Sequence, residues 1–394
     1  MKKFYADLHI HSHYSYATSK FCTVENLHAT ALQKGISLLG TGDFTHPLWL
    51  NQLKNQLFPD GNGLLSLKNM PHSSVSFILS SEVSCIYRQD GQLKKIHVLL
   101  LAPDFETVER INTRLTKYGK LPSDGRPILK LSAASLAEIV LESSNTCQVI
   151  PAHIWTPWFG MLGAKSGFSS LNECFMDMAP YIHAVETGLS SDVPMNSRIS
   201  FLEGKTLISC SDLHSPDKMA RNATCFQGEL SFDSVSNGLR TGSVSTIDLF
   251  PEEGKYYLDG HRKCGTYLTP SQNGRTPQRC GVCQKPLTQG VLSRNLALAD
   301  QSSTTYRKFS YIIPLKEILA DLFNCGSKTK KVEQAYQNCL TLASELPFLL
   351  ELPVELINQL GIDNLGSAVD AVRKGKVRKK AGFDGQPGQI TPIT

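Results

Sequence analysis

Asp7-Leu8-His9-Ile10-His11-Ser12 closes the first β-like run of the chain, Lys3-Phe4-Tyr5-Ala6. Side chains alternate between the two faces of a strand, so His9 and His11 share one face. Far downstream, Thr206-Leu207-Ile208-Ser209-Cys210-Ser211 is followed by Asp212-Leu213-His214. That pattern repeats the pair with a carboxylate and an imidazole. Four such groups, if they converge, make a site for hard-to-borderline divalent metals.

Working outward, the other candidate ligands also stand beside short apolar runs. Asp43 and His46 follow 36–42, Glu82 follows 75–81, His97 opens 98–101, and His153 follows 147–152. Runs this short and apolar predict strands buried on both faces. Helical stretches lie between them, Val24–Lys34 and 132–142 among them. Strands alternating with helices predict a parallel sheet or β/α barrel. In such a barrel, ligands at the C-terminal strand ends meet in one mouth.

These residues carry a resemblance. Asp7-Leu8-His9-Ile10-His11-Ser12, Gly42-Asp43, Glu82, His97, His153 and Ser211-Asp212-Leu213-His214 resemble the motifs of the PHP (polymerase and histidinol phosphatase) superfamily, across residues 1–250. A closer resemblance, to a branch of DNA-repair endonucleases within it, runs through most of the chain. It rests on Gly40-Thr41-Gly42-Asp43-Phe44-Thr45-His46-Pro47, on Pro151-Ala152-His153-Ile154-Trp155-Thr156-Pro157-Trp158-Phe159 and on Glu186-Thr187-Gly188-Leu189-Ser190-Ser191-Asp192. Asp259-Gly260-His261-Arg262-Lys263-Cys264 and Cys280-Gly281-Val282-Cys283 extend it.

The resemblance implies an α/β fold, a distorted seven-stranded β/α barrel of PHP type. It implies two or three divalent metals there, and cleavage of DNA on the 5′ side of deaminated bases (uracil, hypoxanthine, xanthine) and of abasic sites. His9, His11, Glu82, His97, His153, Asp212 and His214 carry over as ligands. Two departures stand out. Tyr14-Ser15-Tyr16-Ala17-Thr18 offers no ligand where the family has an Asp or His, and Asp43-Phe44 replaces an Asp-His pair. Either His46 or His13 then supplies the imidazole. Histidine-rich ligation suits zinc, while the carboxylates also admit manganese or magnesium.

Histidines and carboxylates clustered without a Gly-rich nucleotide loop point to hydrolysis. Glu82 is the natural bridging carboxylate. Asp212 with His9 and His11 would hold the innermost metal, and His97 and His214 would complete others. Asp43 is either a ligand or an acid that orients an imidazole. Glu82, Asp212 and Asp43 are thus the expected catalytic carboxylates. No Ser-His-Asp spacing of a recognised kind occurs, so the expected nucleophile is water activated by metal. Beside His153, Trp155, Phe159, Ser166, Gly167 and Phe168, with Asn196 and Arg198 further on, are candidates for a pocket that receives an extruded base. The plain alternative is that the aromatics pack as a loop core.

The 394 residues predict two or three domains. The expected division is 1–250 for the barrel, 251–300 for a zinc-binding module and 301–394 for a helical DNA-binding domain. His261, Cys264, Cys280 and Cys283 have structural-zinc spacing in a segment short of apolar residues. Helical patterns follow at 315–322, 332–346, 352–361 and 366–373. The basic run 373–380 ends in Arg378, Lys379 and Lys380, expected on the DNA backbone, with glycines nearby that let backbone N–H groups approach phosphate.

Composition adds bounds. The chain is 41% hydrophobic with a net charge of +5, too mild to indicate nucleic acid alone. No run reaches membrane-spanning length, so no membrane partner is expected. The N-terminus is not a signal peptide, and the eleven cysteines read as reduced thiols of a cytoplasmic protein. A second reading is a PHP-type phosphatase acting on a small phosphorylated metabolite, and a third is a non-catalytic module. The zinc spacing and basic segment favour DNA, with the near-complete ligand set opposing the third.

Overall fold

The first strand, β1 (Lys3–Asp7), lies inside a sheet of eleven strands and sets the position of the histidine pair. The computed structural model describes residues 2–271, 279–303 and 305–393. Along the sheet, β1 pairs in parallel with β2 (Leu38–Gly40), which pairs in parallel with β3 (Ser76–Gln89). β3 is antiparallel to β4 (Gln92–Ala102), and β4 to β5 (Gln148–Pro151). A parallel pair, β6 (Ala184–Glu186) and β7 (Thr206–Ile208), forms a small sheet of its own. On the other side of β1 the antiparallel strands β8 (Ala223–Gln227) and β9 (Val244–Leu249) follow, and β10 (Phe309–Ile312) adds to β9 in parallel. β6 packs against β5 and β7 against β9.

The hydrogen-bonding pattern does not give the expected distorted barrel of seven strands: it gives a mixed α/β fold with one sheet of eleven strands and β6–β7 apart from it. A mixed sheet wraps round, and the β6–β7 pair occupies the gap between its two arms. The long β3–β4 hairpin explains part of the difference. Its turn is Asp90-Gly91, both with positive φ (51° and 75°), as a two-residue hairpin turn requires. Glu82 and His97 therefore sit within strands rather than at strand ends. Glu82 pairs with Leu99 and Ser84 with His97, so Glu82 and His97 are diagonal neighbours on one face.

Local signals set the helix ends. The helix Val24–Lys34 begins where Thr23 accepts from the Asn26 N–H, and ends at Gly35, whose φ is 77°. The expected helix 132–142 is Ala133–Ser143, capped by Ser132. The expected stretch 332–346 is two helices, Lys330–Leu340 and Glu345–Leu350, because Pro347 fits only the first turn of a new helix. The basic run is also not helical at its end: Val377–Lys380 is a strand paired with Gln389–Pro392. Residues 301–394 are not set apart from residues 2–250. β10 extends the barrel sheet, and Leu39, Leu100, Ile318 and Val369 belong to one buried cluster.

One buried ion pair fastens the C-terminal helices to the barrel. Lys34 Nζ lies 2.5 Å from Glu345 Oε2, both side chains under 10% exposed (8% and 4%). Glu345 also accepts from Tyr336 Oη at 2.7 Å and from the Leu315 N–H at 3.0 Å. Burial pushes this carboxyl's pKa up, but Lys34 and the hydrogen bonds hold it below the ordinary glutamate value. Its stabilising contribution is therefore complete above pH ~4.3 and lost as pH falls through the lower native value. Glu345→Ala strands the ammonium. We expect it to lower stability by about 3–5 kcal/mol in urea titrations at pH 7. The deficit relative to wild type should shrink on acidification below pH ~4; a deficit independent of pH would refute the ionised pair.

Candidate metal centre

Ile10 bridges Leu213 in parallel, which lays 9–11 beside 212–214. His11 Nε2 comes to 3.2 Å from Asp212 Oδ1, and His9 Nε2 to 3.8 Å. Glu82, His97 and His153 form a second group, and within each group the candidate donor atoms all lie within 4.8 Å of one another. Glu82 joins the two. Its Oε1 is 2.7 Å from His97 Nδ1, 3.0 Å from His153 Nε2 and 3.6 Å from His9 Nε2. Its Oε2 is 3.3 Å from His11 Nε2 and 3.2 Å from Arg126 Nη1.

Carboxylates behind the rings decide which nitrogen faces inward. His9 Nδ1 is 2.9 Å from Glu186 Oε2, and His11 Nδ1 is 3.1 Å from Asp43 Oδ1. An Nδ1–H donated outward leaves the Nε2 lone pair pointing into the site, the usual arrangement behind a metal ligand. Asp43 is itself held by the Ser12 N–H and by the Ser12 and Ser15 hydroxyls, at 2.6–2.8 Å. Glu186 also accepts from the His153 N–H at 2.8 Å, so it orients a ring of one group and the backbone of the other.

His9 Nε2, His11 Nε2 and Asp212 Oδ1 are buried without a hydrogen-bond partner. Buried polar atoms rarely go unpaired. A cluster of imidazole nitrogens and carboxylate oxygens in this state fits divalent metal. The charges agree. Burial drives the Glu82 carboxyl upward, yet His97, His9 and their neighbours hold it well below the ordinary range. Burial lowers the His9 and His11 pKa values, and the carboxylates more than reverse this. Asp43, His153 and Asp212 adopt positive φ (50°, 30° and 48°). Such strain gathers at functional sites and is tolerated where surrounding contacts over-determine it.

The other expected residues fall in several places. His214 sits beside the first group, its ring 4.7 Å from that of His11. His46 lies outside both groups, because the turn after Asp43 carries it to the start of the helix Pro47–Gln56, where it stacks on Tyr14. His13 faces the Cys22 carbonyl. Asp43 takes the orienting position.

The aromatic pocket needs correction. Trp155 is 1% exposed, and its indole N–H donates to Asn196 Oδ1. Asn196, Ser166 and Phe168 are likewise buried. Gly167 packs so closely on the Gly163 backbone that a Cβ would come within 2.5 Å of it. The glycines fold 153–168 too tightly for these side chains to form a platform. Arg198 uses its carbonyl to accept from Asp300 and Gln301. Phe159 is different: it packs on His97 and, with Trp158 and Tyr256, lines a cleft of about 1190 Å³. His97, His153, Asp212 and His214 also line this cleft, and Lys316 and Lys328 line its C-terminal side.

Arg378, Lys379 and Lys380 are not among the cleft-lining residues; Lys379 pairs with Glu252. His261, Cys264, Cys280 and Cys283 do converge, with donor atoms within 4.8 Å. Backbone N–H groups of Cys283 and Val282 pull the Cys280 thiol's pKa down, favouring the thiolate that metals bind. Sequence reasoning missed Glu186 and Arg126. Glu186 lay inside a quoted motif, but as the last residue of an ordinary short strand. Arg126 lies in a loop, 125–127, with no motif of its own.

No family model matches the chain. The uncharacterized protein YqxK of Bacillus subtilis is 29% identical over 414 aligned residues, covering all of both chains. The crystal structure of a lesion-specific endonuclease, endonuclease Q of Pyrococcus furiosus, superposes with a TM-score of 0.88 at 29% identity, covering 99% of this chain and 96% of that one. Endonuclease Q in complex with a 27-mer duplex carrying an abasic lesion at its active site superposes at 0.86, also 29% identical, covering 100% and 97%. The chain is thus similar to endonuclease Q along its whole length.

Two outcomes follow from this geometry. Glu186→Gln should weaken metal binding at the barrel site by about 10–100-fold, because the amide can present its N–H to His9 Nδ1 and turn the ring's donor inward. Titration of the apoprotein with zinc reads this; unchanged affinity would remove Glu186 from the site. Cys280→Ser should release one metal equivalent, measured by elemental analysis, and loosen the segment 255–271 toward protease. Equal metal content in variant and wild type would count against the four-residue cluster.

Proposed function

We propose that this chain is a metal-dependent endonuclease that hydrolyses DNA at abasic sites and on the 5′ side of deaminated bases such as uracil, hypoxanthine and xanthine. The observation that carries the reading is the single carboxylate, Glu82, shared by two ligand groups beside a cleft with walls from both ends of the chain. The whole-length similarity to endonuclease Q supports the choice of DNA as substrate. Two or three divalent ions, when bound, would supply water activation and neutralise charge on a phosphodiester. Zinc suits the imidazole-rich set, while manganese or magnesium suits its carboxylates.

The chain's own residues have separate tasks. His9, His11 and Asp212 hold one side of the centre, and His97 and His153 hold the other, with His214 at the rim. Glu82 ties the two sides together. Asp43 and Glu186 keep the Nδ1 protons of His11 and His9 turned away from substrate. Phe159 and Trp158, rather than Trp155, offer ring surface to a base pulled from the stack. Deaminated bases pair poorly and an abasic site has none, so extrusion costs least at these lesions. The His261–Cys264–Cys280–Cys283 cluster acts as a structural zinc site. Arg378 and Lys380, exposed on the C-terminal hairpin, add contacts to the DNA backbone. Among the described residues no helix is long and apolar enough to cross a membrane; we take the protein to work in the cytoplasm.

A phosphatase acting on a small metabolite is the competing reading. The cleft of about 1190 Å³ exceeds the usual range of about 300–1,000 Å³ for small-molecule pockets. Cleavage of end-labelled duplexes carrying one lesion each is the test. Products should end in 3′-hydroxyl and 5′-phosphate at the 5′ side of the lesion. Asp212→Asn should abolish cleavage while duplex binding persists, because the phosphate contacts lie elsewhere. Binding should weaken steeply with salt, and replacing Arg378 and Lys380 by Ala should flatten the slope by about one unit for each phosphate left without its cation. Faster turnover of a small phosphate monoester than of any lesion duplex would overturn the reading.

A further inference from the structure

Among the described residues, Arg126 is the one arginine or lysine in direct contact with the shared carboxylate, and the metal ligands do not explain it. Its Nη1 lies 3.2 Å from Glu82 Oε2, and its side chain is 23% exposed, on the wall of the cleft. Among the described residues the rest of the guanidinium has no hydrogen-bond partner, so its other N–H groups remain free.

The backbone that presents it is fixed from several sides. The Arg126 N–H donates to Asp124 Oδ1, and the Gly125 N–H donates to the Tyr14 carbonyl. The Gly125 carbonyl accepts from Thr45 Oγ1, and the Pro127 carbonyl accepts from the Ser84 N–H on β3, two residues from Glu82. A Cβ on Gly125 would come within 2.3 Å of Asp43 Oδ2, so the strap also abuts the carboxylate that orients His11. A guanidinium presented from so fixed a backbone, with spare donors beside a hydrolytic centre, is placed to hold the oxygens of a phosphate.

We propose that Arg126 is a catalytic residue that clamps the non-bridging oxygens of the phosphodiester at the Glu82 centre. The inference rests on the hydrolase reading above and deepens it. In the reaction, water gives up a proton as its oxygen forms a new bond to phosphorus, the P–O3′ bond breaks, and O3′ takes up a proton, leaving a 3′-hydroxyl and a 5′-phosphate. Arg126 neither gives nor takes a proton; its N–H groups hold the oxygens on which negative charge gathers. Lysine at this position keeps the charge but lacks the planar fork.

The alternative role is charge balance for buried Glu82, so the experiment reads more than activity. Arg126→Ala, in the metal-loaded full chain, should lower kcat on an abasic duplex by about 10²–10³-fold, with KM within threefold and metal content unchanged. Affinity for inorganic phosphate, by calorimetry, should fall at least tenfold. Added guanidinium should restore tenfold or more of the missing kcat, whereas Arg126→Lys should recover little. A kcat within threefold of wild type, or metal content falling in proportion to activity, overturns the clamp. Bis(p-nitrophenyl) phosphate separates the two proposals. If wild type cuts no lesion duplex but hydrolyses this diester, and Arg126→Ala abolishes that hydrolysis, lesion cleavage fails and the clamp stands. If wild type cuts lesions and the variant matches it, only the clamp fails.

Discussion

The structure is organised around a buried anion. Glu82 is fully enclosed within a sheet strand, where an unpaired carboxylate would be prohibitively costly. The surroundings answer that cost from every side: His9 and His11 from the chain after β1, His97 from the neighbouring strand, His153 from the end of β5, and Arg126 from the loop strap. Each contact has a different sequence origin. The fold must therefore bring these strands together before the anion is satisfied, and a sheet that wraps round one point does so.

Behind this ring of imidazoles lies a second ring of acids. Asp43 and Glu186 are as buried as the histidines they orient. Their negative charge favours protonated imidazole, which runs against metal binding, yet their geometry holds each Nδ1–H outward and leaves Nε2 free. Divalent cations held by His9, His11, Asp212, Glu82, His97 and His153 would resolve the conflict by adding positive charge without protonating the rings. The left-handed backbone at Asp43, His153 and Asp212 belongs to the same design. His153 and Asp212 turn their side chains into the centre there, and Asp43 turns its carboxylate onto the back of the His11 ring. At His153 the ring is held locally, its Nδ1 2.8 Å from Thr156 Oγ1, which leaves Nε2 to face Glu82.

Much of this was legible in the sequence, for identifiable reasons. The H-x-H and D-x-H pairs announce themselves because strand alternation acts over two residues. The helix Val24–Lys34 was readable end to end because Thr23 and Gly35 mark its limits locally. Glu82 was singled out as a candidate ligand but misplaced on its strand, because an apolar run interrupted by Glu and Ser looks like a strand that has stopped. Burial of those polar residues depends on partners far along the chain. Trp155 was misjudged because spacing does not show which aromatics a glycine-rich loop turns inward. Arg126 has no local pattern and the motif around Glu186 does not show what its carboxylate faces; only the assembled sheet brings them to Glu82 and His9.

The C-terminal segment shows how far the site depends on distant sequence. Composition suggested an appended helical unit, but β10 joins the barrel sheet, and the helix Leu315–Leu322 starts at an N–H held by Glu345. The same glutamate holds Lys34, which lines the cleft from the barrel side, while Lys316 and Glu317 line it from the other. The width of the cleft is thus coupled to one buried ion pair rather than to a flexible linker. A substrate spanning it touches groups whose spacing was set when the two halves of the chain packed into one core. A cleft of fixed width suits a partner whose own shape is regular. For the duplex substrate proposed above, ease of deformation at one position would then weigh alongside any contact to a base.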